Sequence, residues 1–225
     1  MCRKYANTSN QDDMRHVYGV DADLDFLGNA APKHAIWPKH EAPIVRLNGD
    51  GRRELVNMHW GFLTPQLSKK TGKPIKPAAW QNARDDKVRR IALWRESFDQ
   101  RRCLLPATAF HETRGKNPAT DFWFALKGDE ELPPFAFAGL WREGQPGVDS
   151  EEGAWLTHTM ITTTPNELVK PVHPDRMPVI LDREDYETWL HGEPAQAAEL
   201  LRPYPAEKMR IVGQGVGVEL KELLQ

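Results

Sequence analysis

Cysteine is nearly absent from this chain of 225 residues. Its two cysteines, Cys2 and Cys103, make no CxxC pair, which excludes a disulfide framework and a thiolate metal site. Long apolar runs are missing too, and the longest, at 133–141, is too short to cross a bilayer. The first ten residues lack the apolar stretch of a secretory signal, so a cytoplasmic protein with reduced thiols is expected. The eight histidines show no ligand-like spacing to cysteines, and neither metal nor cofactor is expected. Familiar catalytic signatures fail as well. His111-Glu112 begins like a zincin motif, but Gly115 stands where the second histidine belongs. Gly213-x-Gly215-x-Gly217 has too little chain after it for a dinucleotide-binding βαβ unit. A P-loop and a Gly-x-Ser-x-Gly elbow are both lacking.

An excess of one charge is lacking overall, the net being −2, but the charge is unevenly spread. Residues 66–102 hold 11 basic and 4 acidic side chains, with Trp80, Trp94 and Phe98 among them. Single-stranded nucleic acid needs cations for its phosphates and π-faces for its unstacked bases. A solvated helix face with aromatics turned inward has the same composition, so charge alone leaves both readings open. Lys69, Lys70, Lys73 and Lys76 form a proline-flanked loop suited to tracking a phosphate backbone.

Hydrophobic patterning predicts strands more often than helices. Val56, Met58, Trp60 and Phe62 alternate with Leu55, Asn57 and His59, and Asn48-Gly49-Asp50-Gly51 turns this strand back on 42–47. Further strands are expected at 122–126, 135–141, 155–163 and 177–181, and 209–217 reads as a glycine-rich strand or turn. Helices are expected at 86–98, at 183–191 with Asp182 as N-cap, and at 195–201. Strands joined by loops rather than by regular crossover helices indicate an α+β, mainly antiparallel fold. With no linker or repeat to divide the chain, 1–225 is expected to be a single domain.

Cys2 is the most distinctive position. Removal of Met1 would expose an α-amine and a β-thiol on one residue, with ordinary pKa values of about 7.7–8.0 and about 8.5. Such a 1,2-aminothiol condenses with aldehydes to a thiazolidine. Other segments accompany it in order: Trp60-Gly61-Phe62, Asn82-Ala83-Arg84, Arg102-Cys103-Leu104-Leu105-Pro106-Ala107 with Phe110-His111-Glu112, and His173-Pro174-Asp175-Arg176-Met177-Pro178. Together with Met1-Cys2-Arg3, this set closely resembles the SOS response-associated peptidase (SRAP) family over residues 1 to about 190. Arg3 replaces a glycine of the family pattern, His111 and Thr113 depart from its Phe-Tyr-Glu-Trp, and one extra residue separates His173 from Arg176.

The resemblance implies a pseudobarrel built from a bifurcated sheet with flanking helices. It implies a sensor that shields abasic sites in single-stranded DNA, including those at single-strand/duplex junctions, through a covalent crosslink at Cys2. By the same resemblance His173 assists opening of the sugar ring, Glu112 shuttles protons, and Asn82 orients the Cys2 head group. Arg84 and Arg176 match phosphate contacts, Trp60 matches a further DNA contact but shares a strand face with Val56 and Met58 and reads equally as core, and Arg3 is an added candidate. Cys103 reads as a small buried hydrophobe. A monomer without metal or membrane association is expected. Two alternatives stand beside this reading: a cysteine peptidase limited to its own Met1-Cys2 bond, and a non-enzymatic single-strand-binding module.

Overall fold

A computed structural model describes residues 2–144 and 155–224, and its centre is one strand whose edges are shared among several partners. Leu156–Thr163 pairs antiparallel with Phe135–Glu143, Gly139 lying opposite Met160. Its other edge is divided. The first residues take Arg53–Trp60 in parallel, with His158 opposite Trp60. The later residues take Asn82–Arg84 in parallel, with Met160 opposite Asn82 and Thr162 opposite Arg84. Arg53–Trp60 also pairs with Glu41–Leu47, which pairs with Arg102–Ala107, which pairs with Phe135–Glu143. Five strands thereby close into a barrel, and closure removes the exposed edges an open sheet would leave.

Arg102–Ala107 does not end at the barrel. The chain bends at Thr108 and continues as Ala109–Arg114 in a second sheet, whose strand order is Met209–Gly215, Thr120–Leu126, Ala109–Arg114, Lys4–Asn7, Lys33–Ile36. One bent segment therefore belongs to both sheets, and the bifurcated, mainly antiparallel α+β architecture is the one expected.

Alternation decides what each face does. Ile44, Val56, Met58, Trp60, Leu105 and Phe137 pack with Tyr5, Phe110 and Phe124 of the second sheet in one core. Val45, Leu55, Leu104, Ala138 and Ile161 face the other way, toward helical side chains including Tyr18, Trp94, Phe98 and Trp189. Alternation groups Phe62 with Trp60, yet Phe62 lies in this second core. The reason is Gly61, whose φ of 120° turns the chain out of the sheet. A Cβ there would also sit 3.1 Å from that of Ala79. Beyond Gly61, Phe62–Leu67 and Pro74–Trp80 form a separate two-stranded hairpin before the chain returns at Asn82.

The helical expectations are modified in detail. The helix expected at 86–98 is two, Asp85–Val88 and Ala92–Gln100. Val88 and Trp94 are both buried, and six residues of continuous helix would point them to different sides. A break with Ile91 extended restores a common face. Asp182 precedes a 3₁₀ turn and then Tyr186–His191, but its carboxylate serves Tyr204 Oη at 2.8 Å instead of capping. Pro194–Glu199 is capped by a reciprocal Glu193–Gln196 pair. Gln11–Tyr18, capped by Asn10 and ended by Gly19, is a helix that the patterning does not predict. Among the described residues no helix is long and apolar enough to cross a membrane.

Gly61→Ala should cost about 1–3 kcal/mol in urea denaturation, since both the positive φ and the close approach of Ala79 oppose a side chain. Unchanged stability would show that the exit from the sheet is not constrained by this residue.

Candidate active site

Lys4–Asn7 lies between Ala109–Arg114 and Lys33–Ile36, with Lys4 opposite His111, and this pairing fixes where Cys2 enters the fold. Cys2, immediately before it, is 1% exposed. Its Sγ lies 3.4 Å from the carbonyl oxygen of Lys4 and 4.0 Å from that of His111. The Asn82 Nδ2 donates to the Cys2 carbonyl at 2.8 Å. Asn82 reaches it because its own strand is held on the divided edge of Leu156–Thr163. This bond ties the barrel to the second sheet. The Asn82 Oδ1 is buried and accepts no hydrogen bond among the described residues.

Glu112 sits on the same strand as His111, opposite Phe122, and is 5% exposed. Burial disfavours its ionised form and pushes its carboxyl up to about 7. Burial, and then the nearby Glu112 charge, also push the Cys2 thiol well above its ordinary range. The sulfur is therefore a neutral thiol at physiological pH. Behind the pair, buried Lys4 extends its Nζ to Glu219 at 3.1 Å and lies 5.0 Å from the ring centres of Trp37 and Trp123. The His111 Nε2 meets Asp121 at 2.8 Å on the same side.

His173 comes from a loop pinned by Asn166, which donates to the Tyr204 carbonyl at 2.7 Å and accepts from the Leu168 and Val169 amides. The His173 Nδ1 accepts the Arg176 amide at 3.1 Å, so the extra residue between them closes a tight turn. Desolvation lowers the imidazole pKa. The neutral ring with a proton at Nε2 is thus favoured near neutrality. Arg176 is buried, with its Nη2 at 2.5 Å from Asp85 and its Nε at 3.3 Å from the Thr162 hydroxyl. Asp85 in turn accepts the Thr163 hydroxyl at 2.6 Å. Arg84 is half-exposed and bidentate on Asp86 at 2.9 and 3.0 Å.

An open cleft of about 600 Å³ collects Arg3, Gln81, Arg84, His173, Asp175 and Arg176. Of the expected DNA contacts, three arginines line it. Trp60 does not. It is fully buried, edge-on to Tyr5 at 5.0 Å, and its Nε1 donates to the Gln81 carbonyl at 2.8 Å. Alternation places it inward, and buried in this core it offers no ring face to a base. Met1 lies outside the described residues, and no group of three or more His, Cys, Asp or Glu among the described residues suits a metal.

Sequence reasoning misses Gln81 on the cleft wall, the Asp85–Arg176–Thr162 brace and the Lys4–Glu219 pair. Only the last has a local sign, a lysine in a buried strand, and its partner is 215 residues away.

The raised Glu112 has a stability consequence. Between its ordinary 4.5 and about 7 the folded state keeps a proton that the unfolded chain has released, so stability falls as pH rises through that window. Glu112→Gln should be more stable than the unaltered protein by about 1–3 kcal/mol at about pH 8, and equal to it at about pH 4, in urea titrations. Parallel stability–pH curves would contradict a raised carboxyl.

Comparison with known proteins identifies the family. The family model described as SOS response associated peptidase (SRAP) matches residues 1–217. The chain is 31% identical over 214 residues to the abasic site processing protein YoqW of Bacillus subtilis, covering 93% of this chain and 90% of that one. It is 30% identical to YobE of the same organism, named likewise, over 100% of this chain and 99% of the relative. A crystal structure of a Bordetella bronchiseptica protein shares the fold with a TM-score of 0.74 at 22% identity, covering 97% and 100% of the two chains. With a family match over nearly its whole length, this chain belongs to the SRAP family.

Proposed function

We propose that this protein senses and shields abasic sites in single-stranded DNA by forming a thiazolidine between Cys2 and the lesion aldehyde once Met1 is removed. The observation that carries the reading is the contact of Asn82 with the Cys2 carbonyl at 2.8 Å, beside a buried carboxyl that ionises at about 7. The relatives' name, abasic site processing protein, supports the same reading.

The chemistry needs two heteroatoms and a carrier of protons. Abasic deoxyribose is mostly a closed hemiacetal, and the His173 Nε2–H is suited to donating to its ring oxygen as the ring opens. The Cys2 amine then adds to the aldehyde carbon, giving a carbinolamine. Loss of water leaves an imine. The thiol adds to the imine carbon, its proton passes to nitrogen, and the ring closes with one water lost overall. Glu112, poised near neutrality, gives a proton to the departing hydroxyl and takes one from the amine. The unengaged Asn82 Oδ1 suits an N–H of the amine, which would hold nucleophile and aldehyde together. Arg3, Arg84 and Arg176 line the cleft and suit contacts to the flanking phosphates, Arg84 by exchanging its Asp86 partner for one.

The decisive measurement is adduct yield on abasic single-stranded DNA, resolved by denaturing electrophoresis. Processed protein should give a heat-stable adduct, and protein retaining Met1 should give none. Cys2→Ala with a free terminus should give at most an imine that borohydride traps. A Met1-retaining form that crosslinks as well as the processed one would rule out the thiazolidine.

Glu112→Gln should slow adduct formation by about 10²–10⁴ without weakening binding to intact strands, and should abolish a bend in the rate–pH profile near 7. A wild-type rate would remove Glu112 from the proton path.

A further inference from the structure

The hairpin of Phe62–Leu67 and Pro74–Trp80 pairs with neither sheet; Phe62 and Leu63 anchor its base in the core, and the function proposed above leaves its outer part without a task. We propose that it is a DNA-holding arm: it carries the single strand flanking the lesion away from the cleft, with Trp80 as the platform for a flanking base. This inference rests on the proposed abasic-site reading.

The topology supplies the first argument. Arg53–Trp60 and Asn82–Arg84 occupy successive positions on one edge of Leu156–Thr163, so the hairpin is an excursion made between two neighbouring register positions. Its base is therefore fixed at the cleft. Gly61 donates to the His158 carbonyl at 2.7 Å where the chain leaves, and Gln81, where it returns, lines the cleft wall. Strands of six and seven residues carry the tip about 20 Å from that base.

The surface of the arm supplies the second. Residues 62–80 contain four lysines and no acidic residue. Lys69, Lys70, Lys73 and Lys76 are all exposed. Leu67, Ile75 and Trp80 are 62%, 53% and 44% exposed, large values for apolar side chains. Unopposed positive charge beside apolar and aromatic surface matches a strand offering phosphates and unstacked bases. Trp80 is also held ready. Its Nε1 donates to the Thr64 hydroxyl at 2.9 Å, and its ring meets Trp94 edge-to-face at 6.3 Å, which fixes the exposed ring beside Gln81. A ring fixed in advance loses little freedom on stacking.

The test compares the unaltered protein, a combined Lys69→Ser, Lys70→Ser, Lys73→Ser, Lys76→Ser variant, Trp80→Ser and Trp80→Phe. Binding to an intact single strand of about 20 nucleotides is measured across salt, and adduct yield on an abasic strand of about 4 nucleotides is measured in parallel. The lysine variant should lower the salt slope by about 2–3, at about 0.7 for each phosphate no longer neutralised. Trp80→Ser should weaken binding at least about five-fold, and Trp80→Phe should restore most of it. Adduct yield on the short strand should be unchanged in all variants, which also shows that the cleft is intact. Unchanged slope and affinity on the long strand overturn the arm and point to another occupant for this surface. Failure of the unaltered protein to form adducts counts against the proposed function instead, and the salt slope still decides the arm.

Discussion

Every strand must satisfy its backbone hydrogen bonds on both edges, and in this molecule that demand falls hardest on Leu156–Thr163. It is buried along nearly all its length. No single neighbour spans either edge. Phe135–Glu143 and Met177–Pro178 divide one, and Arg53–Trp60 and Asn82–Arg84 divide the other. Barrel closure, the return of the chain at Asn82 and the end of the His173 loop all follow from filling those positions. The cleft lies where the shared edges separate, so the scaffold and the site have a common origin.

Burial does the chemical tuning. The neutral Cys2 thiol, the raised Glu112 carboxyl and the lowered His173 imidazole share one leading cause, the loss of water around a charge. The thiol and the imidazole are left uncharged at neutral pH, and the carboxyl is left close to half-ionised. Such a set suits a condensation in which amine, aldehyde and thiol combine with little net charge developing. The arginines answer a different need and lie on the open wall, where Arg84 stays half-exposed and Arg176 is braced from behind by Asp85.

Much of this is legible in the chain, for reasons that can be named. Strands with alternating apolar residues, such as Arg53–Trp60 and Thr120–Leu126, declare themselves through a hydrophobic period of two. Short or polar elements do not. Lys4–Asn7 is too brief to carry a period, and Gln11–Tyr18 buries only Met14 and Tyr18. Cys2, Asn82, Glu112 and His173 stand in ordered motifs, so their types are readable, whereas their distances depend on pairings across most of the chain. Trp60 shows the limit. A tryptophan in a motif reads equally as a contact or as core, and only the neighbouring Tyr5 ring and Gln81 carbonyl decide.

The placement of Lys4–Asn7 has a consequence for time. One of the strand's two neighbours, Ala109–Arg114, is synthesised about a hundred residues after it, and the Lys4 counter-ion Glu219 later still. Contacts so distant in sequence close late, after the entropy of a long loop has been overcome. Cys2 is therefore among the last residues to be sheltered. A nascent chain carries its thiol in water until the rest of the molecule has formed around it.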